Sequence, residues 1–314
     1  MEMKLTERDY TLLNLISKTG AVNREQVHNV YGKNLSYYHL KRLKLLSKKG
    51  YVKRKKGYVL LRPKGFRAIG VRSRPLEKKD FVIKKKAQIA ELYFSLEGWE
   101  IIFGAEYKSR YELYRGSRLE AVISNPLYEF AVYHLTSISP KANTTSRYLN
   151  EINVLPLKAG IDRAVIFCHP KCAEIILSKI DKPTIKELLL LPYPDGITLL
   201  KGRYNDYFFD EILSEGLPGI KRDNSLRFTD YTWTAKNGVY YISDLSTNDA
   251  IRMHYLDSYL SNKLVMKTKK KIAILCTHKK YPHIRKKYPG VPISVMTNTL
   301  DGFVPAPRKG EKHG

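Results

Sequence analysis

The chain opens with apolar residues at helical spacing and then switches to short alternating runs. Leu12, Leu13, Leu15 and Ile16 predict the buried face of a first helix from Thr6 to Ser17. Thr6 stands where an N-cap belongs, Asp9 follows three residues on, and Gly20 is a stop. Val27 and Val30 share a face in a shorter helix from Asn23 to Val30, broken by Gly32. A third helix is predicted from Ser36 to Lys48, with Leu40, Leu43, Leu45 and Leu46 as its apolar side and Gly50 at its end. Two strand-like runs, Tyr51 to Arg54 and Tyr58 to Arg62, then flank a Lys55-Lys56-Gly57 turn. Three helices followed by a basic hairpin is the element order of a winged helix-turn-helix. A short helix and a linker are expected over residues 63–86, where Gly65, Gly70 and Pro75 interrupt the pattern.

Beyond Lys85 the texture changes. A helix is predicted from Lys86 to Leu96, then strands from Trp99 to Phe103, Leu119 to Ile123 and Tyr128 to Leu135. A helix from Arg147 to Leu155, an apolar strand from Arg163 to Cys168 and a helix from Cys172 to Ile180 complete an α/β order. The crossover from Leu135 to Ala164 can only join parallel strands. A similar run recurs: strand Gly238 to Leu245, helix Asp249 to Leu260, strand Lys271 to Cys276, and a basic helix-like segment from Tyr281 to Tyr288. Tyr133 and Tyr241 precede Cys168 and Cys276 by the same distance, which makes an internal duplication an expectation. The predicted class is α/β, α+β overall: a head over 1–74, a basic linker over 75–86, α/β units over 87–190 and 191–304, and a disordered tail over 305–314.

Charge sharpens this picture. The 314 residues carry a formal net charge of +26, of which residues 1–86 hold +18, from 24 Lys and Arg against 6 Asp and Glu. Such concentration suits a surface that faces a polyanion, because cations near phosphates release condensed counterions. A membrane surface fits less well, since the segment has helix-turn-helix punctuation and not one long amphipathic helix. No run of about eighteen apolar residues predicts a membrane span. Three cysteines give no disulfide framework and point to a reducing compartment. A cytoplasmic protein associated with nucleoid or plasmid is expected.

In such a head the third helix would enter the major groove, led by its N-terminal residues. Its non-core side offers Asn34, Ser36, Tyr37, His39, Lys41 and Arg42 to base edges and phosphates. The hairpin offers Lys53, Arg54, Lys55 and Lys56, and Arg62 and Lys64 follow it. The alternative for this head is protein contact through a solvated charged face. Two later basic clusters, one from Lys267 to Lys271 and one from Lys279 to Lys287, could extend a DNA footprint or simply be solvated.

Other chemistry is thinly supported. Cys168, His169, Cys172, Cys276 and His278 admit a zinc reading, but buried strand-end cysteines are the simpler expectation. Tyr107, Tyr111 and Tyr114 could serve strand transfer, yet no His-x-His element accompanies them. There is no phosphate-binding loop of the Gly-x4-Gly-Lys type.

Two stretches carry a resemblance. The first is "LTERDYTLLNLISKTGAVNREQV" with "LSYYHLKRLKLLSKKGYVKRKKGYVLLRPKG"; the second is "KKAQIAELYFSLEGWEIIFGAEYKSRYEL", followed by "LEAVI", "EFAVYHLTS", "RYLNEI" and "RAVIFC". Over about residues 5–180 the chain resembles the replication-relaxation family of plasmid and mobile-element proteins. The resemblance implies a winged helix joined to a restriction-endonuclease-like domain, and a role in plasmid replication, DNA relaxation or mobilisation. A nuclease of that fold holds magnesium with paired carboxylates on adjacent strands. Here Glu120 could take the first acidic position, while Val132-Tyr133-His134-Leu135 supplies no second. Asp244, in the second run, is a lone carboxylate with no obvious partner. Both α/β units are therefore expected to be degenerate, catalytically inactive scaffolds with no cofactor. Partners expected are double-stranded DNA and replication or conjugation proteins, with a homodimer open. The rival functions are a magnesium-dependent nickase and a winged-helix transcriptional regulator.

Overall fold

A computed structural model describes residues 3–32, 37–110, 116–137, 142–204, 213–214, 216–261, 271–277, 280–296 and 303–305. Within them the architecture is mixed α/β, and the chain divides into two compact units, Met1–Ser124 and Asn125–Gly314. No helix of the described residues is long and apolar enough to cross a membrane.

In the first unit, α1 (Glu7–Thr19) begins at Thr6 with a full capping box: the Asp9 N–H donates to the Thr6 hydroxyl and the Thr6 N–H to the Asp9 carboxylate. Gly20 ends it in the left-handed conformation, at φ +90°, which a side chain would strain. After β1 (Val22–Asn23), α2 (Arg24–Tyr31) opens with the same device, here between Asn23 and Gln26. Then come α3 (Tyr38–Lys48), β2 (Val52–Lys55), β3 (Tyr58–Leu61) and α4 (Pro63–Ala68). The strands form one antiparallel sheet in the order β1-β3-β2, so β3 is central. That explains why Val59, Leu60 and Leu61 are all buried while Lys53 and Arg54 on the edge strand are not. Leu12, Leu13, Ile16, Val27, Leu43 and Leu46 close the core beneath the sheet, each contributing about 1.5–3 kcal/mol relative to exposure. Gly65 has a packing reason: a Cβ there would lie 2.4 Å from the Tyr51 carbonyl oxygen.

The next helix, α5 (Asp80–Ser95), begins six residues before the predicted Lys86. Lys84, Lys85 and Lys86 are thus helical, although charge placed them in the linker. The apolar residues that mark this turn, Ile83 and Ala87, pack on Ala21 and Leu60. The unit ends with β4 (Glu100–Phe103), α6 (Gly104–Arg110) and β5 (Ala121–Ser124), and β4 pairs with β5 antiparallel.

The second unit contains β6 (Glu129–Leu135), α7 (Ala142–Ala159), β7 (Arg163–Cys168), α8 (Pro170–Leu177) and β8 (Glu187–Leu191). β6, β7 and β8 run parallel, as the Leu135–Ala164 crossover demanded. After α9 (Asp195–Tyr204) a six-stranded sheet follows, built from β9 (Lys221–Arg222), β10 (Tyr231–Ala235), β11 (Gly238–Asp244), β12 (Lys271–Thr277), β13 (Ile293–Met296) and β14 (Phe303–Pro305). Its helices are α10 (Ala250–Ser261) and α11 (Tyr281–Lys287). β11, β12 and β13 run parallel, with one helix in each crossover. Alternate residues of β12 serve two cores: Ile274 and Cys276 on one face, Ala273 and Leu275 on the other. Covering both faces is what makes these strands continuously apolar.

The two β-α-β-α-β runs are alike in order and direction, but their registers differ. Tyr133 lies opposite Ile166, whereas Tyr241 lies opposite Ile272, two residues earlier than the cysteine alignment requires. An even offset keeps each side chain on its face. β8 is a strand that the sequence reading did not assign, and the expected border at residue 190 falls inside it.

Candidate nucleic-acid interface

The first three helices are tied together by one carboxylate. Asp9 on α1 is fully buried, accepts from the Tyr31 hydroxyl on α2 at 2.5 Å and from Arg42 Nε on α3 at 3.0 Å. Burial opposes its charge, yet Arg42 and the Thr6 N–H more than offset that and hold its carboxyl below the usual range. The same contact, with burial, pushes the Tyr31 hydroxyl far up. Arg42, expected on the DNA-facing side, therefore turns inward; it also donates to the Lys4 carbonyl at 2.8 Å.

His39 turns inward as well. It stacks on His28 at 4.4 Å between ring centroids and is buried. Burial, then the His28 and Arg24 charges, depress its basicity. Tyr38 packs edge-on against Tyr31 at 5.9 Å. Tyr37, by contrast, is 69% exposed at the amino end of α3, in a left-handed conformation at φ 55°. Lys41, Lys44, Lys48, Lys53, Arg54 and Lys56 are exposed along α3 and the hairpin, and so is Arg62. Lys64 lies over the Tyr51 ring at 4.6 Å. Asn34 and Ser36 lie outside the described residues.

The hairpin turn is not wholly free. Lys55 and Lys56 reach Asp80 at 2.7 and 2.5 Å, and these lysines lower the Asp80 carboxyl to about 2. Lys86 approaches Glu77 at 3.8 Å and Lys85 meets Glu120 at 2.5 Å. These pairings were invisible in the sequence because each joins positions at least nine residues apart.

No family model, curated protein or solved structure matches the chain. The two carboxylates considered for catalysis are both engaged by cations. Glu120 is held by Lys85, just ahead of β5. Asp244 is engaged by two arginines. It is fully buried at the end of β11 and bonds Arg203 of α9 at 2.7 Å, while its carbonyl accepts from Arg252 of α10 at 2.8 Å. Burial disfavours its charge, but Arg203 and Arg252 outweigh that and keep it ionised. Its partners sit 41 and 8 residues away in sequence and converge only in the fold.

Asp244 belongs to a buried network. Arg252 also reaches Asp230 at 2.7 Å, Glu187 at 3.4 Å and Asp249 at 3.4 Å. Glu187 accepts from the Tyr204 hydroxyl at 2.5 Å. Asp249 accepts from the N–H groups of Ile251 and Leu188, so it caps α10 and fastens it to β8. Burial raises the carboxyls of Asp230 and Asp249 to about 6 and about 7. Lys280 donates to the Ser246 carbonyl at 2.8 Å, and burial lowers its ammonium to about 8.

Cys168, Cys172 and Cys276 are buried thiols outside any disulfide. Burial raises Cys168 to about 12 and Cys276 to about 11. Among the described residues no group of three His, Cys, Asp or Glu stands together to hold a metal ion. Of the zinc candidates His278 lies outside the described residues. So do Tyr111 and Tyr114, while Tyr107 is buried.

Proposed function

We propose that this protein binds double-stranded DNA sequence-specifically through a winged-helix head. In this reading it acts at a plasmid or mobile-element origin or transfer site, in replication initiation or mobilisation. The observation that carries the reading is the row of exposed cations on α3 and β2, set on a core whose own charges are internally satisfied. Arg42 and Asp9 neutralise each other inside and Lys55 and Lys56 pair with Asp80, while Lys41, Lys44, Lys48, Lys53 and Arg54 face solvent. Tyr37 is exposed at the leading end of α3 and, in this reading, would supply a base-edge contact. An edge strand rich in Lys and Arg also resists pairing with other strands, so β2 alone would not distinguish DNA binding from self-protection. The matching exposed lysines on α3 favour DNA.

The α/β part of the chain would then be degenerate, without catalysis of its own. Lys85 occupies Glu120, and Arg203 occupies Asp244, which leaves neither as one of a solvent-facing carboxylate pair. Selection from a random duplex library with the full chain tests specificity. A shared motif whose recovery changes in Tyr37→Ala supports the proposal; equal retention of all sequences contradicts it. Magnesium-dependent nicking of supercoiled DNA, abolished by Glu120→Ala or Asp244→Ala, would contradict the non-catalytic part.

A further inference from the structure

We propose that the second unit carries a binding site for a nucleoside monophosphate, in a cavity of about 490 Å3 lined by Arg163, Lys186, Arg203, Arg222, Arg227 and Arg252. The volume lies in the range of small-ligand pockets. Lys outnumbers Arg 37 to 19 along the chain, yet five of these six cations are arginine. A planar guanidinium matches the oxygens of a phosphate two at a time, which an ammonium does not.

The arginines are held from behind. Glu187 accepts from Arg163 at 3.2 Å and from Arg252 at 3.4 Å, and Asp230 accepts from Arg252 at 2.7 Å. These two acids line the cavity too, but each is engaged by a guanidinium, so they orient the donors. Arg222 and Arg227 stand exposed at the opening, where Arg222 donates to the Tyr128 hydroxyl at 3.4 Å and Arg227 to that of Tyr255 at 2.5 Å. Tyr128 adds a half-buried ring, with the Arg163 guanidinium 5.5 Å from its centre, for the apolar face of a base.

Thr229 lines the cavity, is 4% exposed, and its hydroxyl has no hydrogen-bond partner among the described residues. A buried hydroxyl left in that state costs free energy.

The test is calorimetric titration of the full chain with the four ribonucleoside monophosphates and with the matching nucleosides. At least one monophosphate is expected to bind about tenfold or more tightly than its nucleoside. Combined Arg222→Ala and Arg227→Ala should weaken that monophosphate about tenfold, while combined Lys53→Ala and Arg54→Ala leaves its affinity unchanged. The proposal is overturned if no monophosphate outbinds its nucleoside. It is equally overturned if the Arg222/Arg227 variant binds as the parent does, or if the hairpin variant is the one that loses affinity. DNA binding by the first unit is a separate measurement, so either property can fail alone.

Discussion

On the hairpin of the first unit Lys53 and Arg54 stand in solvent, whereas in the second unit Arg203 and Arg252 are withdrawn from it and ringed by carboxylates. Both regions are cationic in sequence, but the consequences differ. Exposed cations cost little and stabilise little; they remain available to an external anion. Buried ones demand partners, because an uncompensated charge in the interior is severely unfavourable. The first arrangement is open to an external anion, and the second fixes guanidinium groups in place. Asp9 and Arg42 show that the first unit uses the second arrangement once, at the point where its three helices meet.

The largest test of this contrast is Arg252→Met. It strips Asp230, Glu187 and Asp249 of their shared guanidinium and should destabilise the protein by about 3–5 kcal/mol at neutral pH, read by chemical denaturation. A loss below about 1 kcal/mol would mean that the network is not what supports the second unit. Asp9→Ala comes next. It removes a helix cap and leaves Arg42 and the Tyr31 hydroxyl without their acceptor, for an expected loss on the order of 2–4 kcal/mol. If the melting curve of this variant overlies that of the parent, the three-helix junction rests on apolar packing alone.

Proton binding separates the regions in opposite directions. Asp249 is raised in the fold from 3.8 to about 7, so the folded chain holds its proton more tightly than the unfolded one. The stabilisation from that group is full below about pH 4 and is lost as pH rises through 7. Asp9 is lowered, so its contribution is full above about pH 4 and is lost on acidification. Asp249→Asn keeps the acceptor for the Ile251 and Leu188 N–H groups and removes the titration. Between pH 5 and pH 8 the variant should lose less stability than the parent; equal slopes would show that Asp249 stays ionised throughout. The smallest expected effect on stability is at the hairpin. Lys53→Ala with Arg54→Ala should move unfolding by under about 0.5 kcal/mol.

Much of the fold was legible where local rules and packing agree. Thr6 with Asp9, and Gly20, punctuate the first helix as their chemistry requires. The parallel pairing of β6 and β7 followed from crossover length alone. What was missed lacked a local signature. β8 is a short run of leucines, which periodicity cannot tell from a buried helix. The start of α5 was hidden because its first turns carry lysines, and only Ile83 and Ala87 reach the core. The site was legible in part: exposed Lys41, Lys53 and Arg54 could be read from charge, but the inward turn of Arg42 depended on Asp9, 33 residues away. The buried network around Arg252 and the arginine-lined cavity draw on residues scattered from Arg163 to Arg252, and no spacing rule gathers those.

The most direct measurement is the affinity of the full chain for duplex DNA across a series of salt concentrations, with and without Lys53→Ala and Arg54→Ala. Affinity is expected to fall steeply and linearly on logarithmic axes. The double variant should bind more weakly, with a slope shallower by up to about 2, one for each phosphate no longer neutralised. Binding that ignores salt, or a variant indistinguishable from the parent in both affinity and slope, would contradict it.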